Sequence, residues 1–149
     1  MSKKVLIFIL IILFILIGTL IYITVYNDMV AKRVENELKD AELPNNTERV
    51  DSISVAGKLT GNGNGMQYFG AILIKTELTK EELEDYYKQY RKNEWDFLVS
   101  KVKSSEIDKI EHGSYKFEKY NENDKDKYFM IYSWGISKGI WSDFDLRGH

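Results

Sequence analysis

From Val5 to Tyr26 the chain carries no charged residue, and within these 22 positions only Gly18, Thr19 and Thr24 interrupt an apolar run. At about 1.5 Å per residue, a helix of that length measures roughly 33 Å, enough to cross a ~30 Å hydrocarbon layer. Tyr22 and Tyr26 stand at one end of the run, where amphipathic rings favour the headgroup region. A cleaved signal peptide would have an apolar region of only about 7–15 residues followed by a small-residue cleavage site. Here the exit reads Thr24-Val25-Tyr26-Asn27-Asp28. The expectation is therefore an uncleaved signal-anchor, a transmembrane helix over 5–26 with the lipid bilayer as its partner. Lys3 and Lys4 precede it, while Lys32, Arg33 and Lys39 follow, so a count of cations does not orient it. The short tail 1–4 is purely cationic, however, and the segment beyond the helix mixes its cations with Asp28, Glu35, Glu37 and Asp40. Long domains also translocate largely regardless of their own charge. This reading puts the N-terminus inside and the remainder outside the cell membrane.

Residues 27–149 hold 45 of the 65 apolar residues in the chain, which suffices for one small core and leaves no room for a second. With no Cys, a disulfide framework, a thiolate metal site and a thiol nucleophile are excluded. A net charge of −2 provides no basic surplus for nucleic acid. The Lys to Arg ratio of 17 to 4, with many Ile and Asn, fits the coding bias of an AT-rich bacterium.

The stretch 27–46 reads as a helical stalk and hinge. Asp28–Lys32, Arg33–Glu37 and Glu35–Lys39 are spaced i,i+4, each such pair adding roughly 0.2–0.5 kcal/mol on an exposed helix. Val30, Val34, Leu38 and Ala41 form a narrow stripe. It serves either to lie on the chain's own domain or to self-associate with a second copy through Val30, Val34 and Leu38. Pro44 ends this helix, because its ring disfavours helical geometry in the preceding residue.

The soluble domain spans 47–149. Ile53, Val55, Gly57 and Leu59 alternate with Ser54, Ala56 and Lys58, the period of a half-buried strand. Gly61 to Gly65 then supplies Asn-Gly turn chemistry before a returning strand over 66–76. A helix should run from Thr79 to about Asn93. Thr79 and Glu82 make a capping box, and Leu78 and Leu83 a hydrophobic staple. Leu83, Tyr86, Tyr87 and Tyr90 recur at helical spacing, so that face is buried on the hairpin. Further along, Trp95, Phe97 and Val99 start a third strand or prolong the helix, and 104–110 suggests a helical turn. Residues 114–120 and 127–134 read as a second hairpin across the polar loop 121–126, with Tyr128, Met130, Tyr132 and Trp134 on one face. The fold class is α+β: a mostly antiparallel sheet with one packed helix, beyond a transmembrane helix and stalk.

Chemistry is sparse. His112 and His149 are isolated, too few nitrogen ligands for zinc. The 121–126 turn lacks the central Gly and closing Glu of a calcium loop. No G-x-S-x-G pattern accompanies Ser114, and Asp143 and Asp145 are not taken as a catalytic carboxylate pair. No catalytic, cofactor or metal residue is assigned. Sixteen Phe, Tyr and Trp fall within 27–149, and Trp134, Trp141, Tyr128 and Tyr132 cluster late in the chain. Tyr and Trp favour interfaces, so these four are the candidate binding face.

Pro44 after an apolar anchor, a Gly-rich hairpin, and Glu81-Glu82-Leu83 leading to Tyr86-Tyr87 and then Trp95 resemble small envelope-anchored α+β domains of bacteria, families largely of unknown function. The likeness covers about half of the soluble part, through a loose motif. It departs from them in having Glu94 where Gly commonly precedes the Trp, and a membrane helix in place of a lipid-bearing Cys. The resemblance implies an envelope location and an α+β fold, and transfers no site residue. The leading expectation is a non-enzymatic, extracytoplasmic module that binds an envelope protein or cell-wall component. The alternatives are an envelope-polymer hydrolase using surface carboxylates and, with reversed topology, a cytosol-facing sensor.

Overall fold

In the computed structural model, which describes residues 2–61, 65–135 and 141–149, the first helix does not stop where the apolar run does. Helix α1 (Lys3–Asp40) is one continuous element of 38 residues. The Ser2 side chain accepts a hydrogen bond from the Val5 amide at its start. It is long and apolar enough to cross a membrane by length and composition. Its two halves differ in what surrounds them. Nearly every side chain from Val5 to Tyr22 is exposed, whereas Ile23, Asn27, Val30, Ala31, Glu35 and Leu38 are buried. The second half is thus part of the globular core. The stripe of Val30, Val34 and Leu38 is spent on the chain's own sheet: Val30 and Leu38 are buried and Val34 is partly so, which leaves no open seam there for a second copy.

After Pro44 the chain enters β1 (Thr47–Gly57), turns, and returns as β2 (Gln67–Thr76). The pairing is antiparallel, from Thr47 opposite Thr76 to Gly57 opposite Gln67, with an irregularity between Arg49 and Asp51. The expected first hairpin is present. Helix α2 (Lys80–Tyr87) follows with the expected capping box, in which Thr79 accepts from the Glu82 amide while the Glu82 carboxylate accepts from Thr79 N–H. It is shorter than the periodicity predicts. From Lys88 the helix tightens into a 3₁₀ turn ending at Tyr90, which lets Tyr90 stack on Phe97 with ring centres 5.5 Å apart.

Strand β3 (Leu98–Lys101) begins after Phe97, whose φ of 48° makes a sharp corner. Two short strands, β4 (Glu106–Ile107) and β5 (Tyr115–Lys116), then pair with each other as a small arm. The region 104–110 is therefore not a helical turn: Ile107 and Ile110 both enter the core from extended chain, and Ile110 bridges to Leu59. Nor does 114–120 form a hairpin with the last strand. Strand β6 (Tyr128–Gly135) lies between β2 and β3, giving the antiparallel order β1-β2-β6-β3. The long-range pairing wins because β6 is apolar on both faces, and only a central position buries both of them.

The alternation of β2 and β6 divides the core cleanly. On one face Ile72, Ile74, Phe129 and Ile131 pack with Leu38, Leu83, Tyr87 and Phe97 from the helices and the β3 corner. On the other, Phe69, Ala71, Leu73, Tyr128, Met130 and Trp134 lie beneath the arm, with Ile107, Ile110 and Phe117. Gly70 sits where α1 crosses the sheet. A Cβ there would lie 2.5 Å from the Glu35 backbone nitrogen, so only glycine permits this close approach.

Candidate functional site

The four aromatic residues singled out from the sequence do not form one open face. Tyr128, Tyr132 and Trp134 share a side of β6 as expected, but that side is the interior beneath the arm. Trp134 is 6% exposed and Tyr128 3%, with Tyr132 partly buried. Phe69 lies 4.8 Å from Trp134 and 5.9 Å from Tyr132, ring centre to ring centre. These three are core residues, because a short domain low in Leu and Val fills its interior with rings. Trp141 belongs elsewhere. It rests edge-on against Tyr22 of α1, with ring centres 5.7 Å apart.

That contact opens the most elaborate polar arrangement among the described residues. The C-terminal tail, two 3₁₀ turns over Ser142–Phe144 and Leu146–Gly148, folds back against α1 where its apolar run ends. Asn27, fully buried, donates through Nδ2 to Asp145 Oδ2 at 2.9 Å and to the Trp141 carbonyl at 3.4 Å. Its Oδ1 accepts from the Tyr68 hydroxyl at 2.9 Å. Asp145, 4% exposed, also accepts from the Arg147 backbone at 3.1 Å and from its guanidinium at 3.0 and 2.8 Å. Arg147 spans the gap to α1, donating to Asp28 at 2.7 Å and to the Thr24 carbonyl at 3.2 Å. The Gly65 amide donates to the Gly148 carbonyl, which ties in the β1–β2 turn. Burial alone would push the Asp145 carboxyl up, yet Arg147 and Asn27 hold it down at about 2. Burial also raises the Tyr68 hydroxyl. At neutral pH Asp145 is therefore an ionised carboxylate held by the Arg147 guanidinium, which Asp28 shares, and by the Asn27 amide.

A second buried carboxylate lies along the same helix. Glu35, 1% exposed, accepts from Lys32 at 2.5 Å, Lys39 at 3.3 Å and the Ser52 hydroxyl at 2.7 Å. Burial would raise it, but these donors together with Ser54 bring it to about 2. A third acid, Asp96, accepts from the Ser133 hydroxyl, which in turn accepts from the Phe97 amide. It lines a cleft of about 330 Å³ between α1 and the β3 corner, along with Arg33, Glu37 and Lys92.

Sequence reasoning overlooked Asn27, Tyr68 and Arg147, took Glu35 only as half of an exposed pair with Lys39, which the structure contains but with Glu35 buried, and gave Asp145 no role. The signal was present in α1. Ile23, Asn27, Ala31, Glu35 and Leu38 recur at helical spacing, so two polar residues interrupt an otherwise apolar stripe, and a polar group there must meet a partner. The acids of these clusters are engaged by neighbouring donors, and among the described residues no group of three or more His, Asp or Glu converges as a metal site. No protein family, curated protein or solved structure matches the chain.

Proposed function

We propose that this chain is a single-pass membrane protein that holds a non-catalytic α+β binding module at a fixed height and angle outside the cell membrane, there to engage an envelope protein or cell-wall material. The observation that carries the reading is α1 itself: one unbroken helix, exposed and apolar over its first half and integral to the domain core over its second. A flexible tether would serve a domain that only needs retention. Here the helix leaves no loop between anchor and domain, and the tail is bonded to it on the side facing the domain. The non-catalytic part is supported by Glu35 and Asp145, whose carboxylates are held ionised by structural partners rather than poised near neutrality for proton transfer.

Protease added to intact protoplasts tests the placement. Digestion of residues beyond 27 while cytosolic markers survive is the expected result. A domain protected until lysis would reverse the topology and favour a cytosol-facing sensor. A mature N-terminus found beyond Tyr26 would replace the anchor by a cleaved signal.

A further inference from the structure

Outside α1, the large apolar side chains that are exposed among the described residues are Trp95, Phe144 and Leu146. Two of the three lie in the C-terminal tail, Phe144 at 62% and Leu146 at 81% exposure. Trp141 precedes them, its ring 6.4 Å from Phe144 and set against Tyr22. The tail is far from free to wander, since Asp145 and Arg147 bind it to Asn27, Asp28 and the Thr24 carbonyl. A short segment is thus fixed in place with Asp145 and Arg147 turned toward the protein, while Phe144 and Leu146 are left in the open beside the exposed Asp143 and His149.

The height of that segment along α1 identifies what covers it. From Val5, a ~30 Å hydrocarbon layer accommodates about 20 helical residues and ends near Thr24. Tyr22 and Thr24, two of the residues the tail touches, lie at that boundary, with Asn27 and Asp28 about one turn beyond it. Rings that are apolar in body and polar at one edge partition there, and a Leu or Phe beside them loses water contact by entering the same layer.

Resting on the membrane-anchor reading, we propose that Trp141, Phe144 and Leu146 form, with Tyr22 and Tyr26, an interfacial foot that inserts into the headgroup layer of the bilayer. The foot gives the domain a second point of membrane attachment beside the helix and so fixes its tilt.

The absence of native Cys makes single-site labelling direct. Phe144→Cys and Leu146→Cys, both at exposed positions, are spin-labelled in the full chain and reconstituted in phosphatidylcholine–phosphatidylglycerol vesicles. Phe14→Cys reports the helix, and Glu94→Cys, on an exposed loop, reports water. Collision rates with oxygen and with a water-soluble nickel chelate give depth. The expected result is that positions 144 and 146 fall between 14 and 94, with oxygen favoured several-fold over what position 94 shows. If they match position 94 while position 14 is deep, the foot is refuted and the anchor stands. If they are shielded from both reagents, protein rather than lipid covers them and the foot is again refuted. If position 14 itself is aqueous, the anchor reading falls and takes the foot with it.

Discussion

Glu35→Gln isolates one buried charge with little change of shape. The carboxylate has an ordinary value of 4.5 in the open chain and about 2 when folded. Because the folded value is the lower one, its contribution to stability is fully present above pH 4.5 and is lost as pH falls through 2. At 1.36 kcal/mol per pH unit, the interval corresponds to about 3 kcal/mol. The geometry agrees with that size: Lys32, Lys39 and Ser52 all donate to a side chain that is 1% exposed. A glutamine keeps an acceptor for Ser52 but turns an amide donor toward ammonium groups and carries no charge. Urea unfolding of residues 22–149 at stepped pH should show the variant about 3 kcal/mol weaker at pH 7, the gap closing toward zero near pH 2. Asp145 titrates over the same range in both proteins, so it cancels in the difference. A gap that stays constant with pH would attribute the effect to packing and refute the electrostatic account, as would a gap below about 1 kcal/mol at pH 7.

Thr79→Ala should cost about 1 kcal/mol through loss of the capping box, and an unmoved melting curve would remove that claim. Tyr87 is fully buried, and its hydroxyl has no hydrogen-bond partner among the described residues; Tyr87→Phe should therefore be neutral or stabilising, while Tyr87→Ala costs about 3 kcal/mol or more. Loss of stability in the Phe variant on denaturant titration would mean the hydroxyl is satisfied in solution. Residues 22–149 should be more stable than 27–149 by about 2 kcal/mol, because the shorter fragment lacks Ile23, which is 4% exposed, along with the Tyr22 contact to Trp141. Equal melting temperatures would show that the helix frays up to Asn27.

Much of the fold was legible because its signals are local. The apolar run, the Asn-Gly hairpin and the Thr79–Glu82 box each depend on neighbours a few residues away. What escaped depends on partners far along the chain. The position of β6 between β2 and β3 follows from burial on two faces, which a one-sided alternation of Tyr128, Met130, Tyr132 and Trp134 conceals. That pattern suggested an open aromatic face, and the arm from Ser104 to Phe117 covers it. The tail cluster was hidden for a similar reason: Asn27 and Asp145 are 118 positions apart, and no local pattern in the tail pairs the two.

The polar residues of α1 do more than satisfy one another, because they set the helix's register. A stripe of Val, Ala and Leu could slide along the sheet by one helical turn, about 5.4 Å, and still bury apolar surface. Asn27 and Glu35 do not allow that slide. Each meets partners on a different part of the domain, Tyr68 and Asp145 for one and Ser52 for the other. Displacement would leave both buried without them, at roughly 1–3 kcal/mol for a neutral group and more for the charge. Gly70 permits the close crossing itself, since the Cβ of any larger residue would meet the Glu35 backbone. On the proposed membrane placement, register along α1 is also height above the bilayer, since the same helix carries the apolar run. On that placement, the residues that hold the helix to the sheet fix how far the domain stands from the bilayer, and they keep Trp141 and Arg147 beside Tyr22 and Thr24.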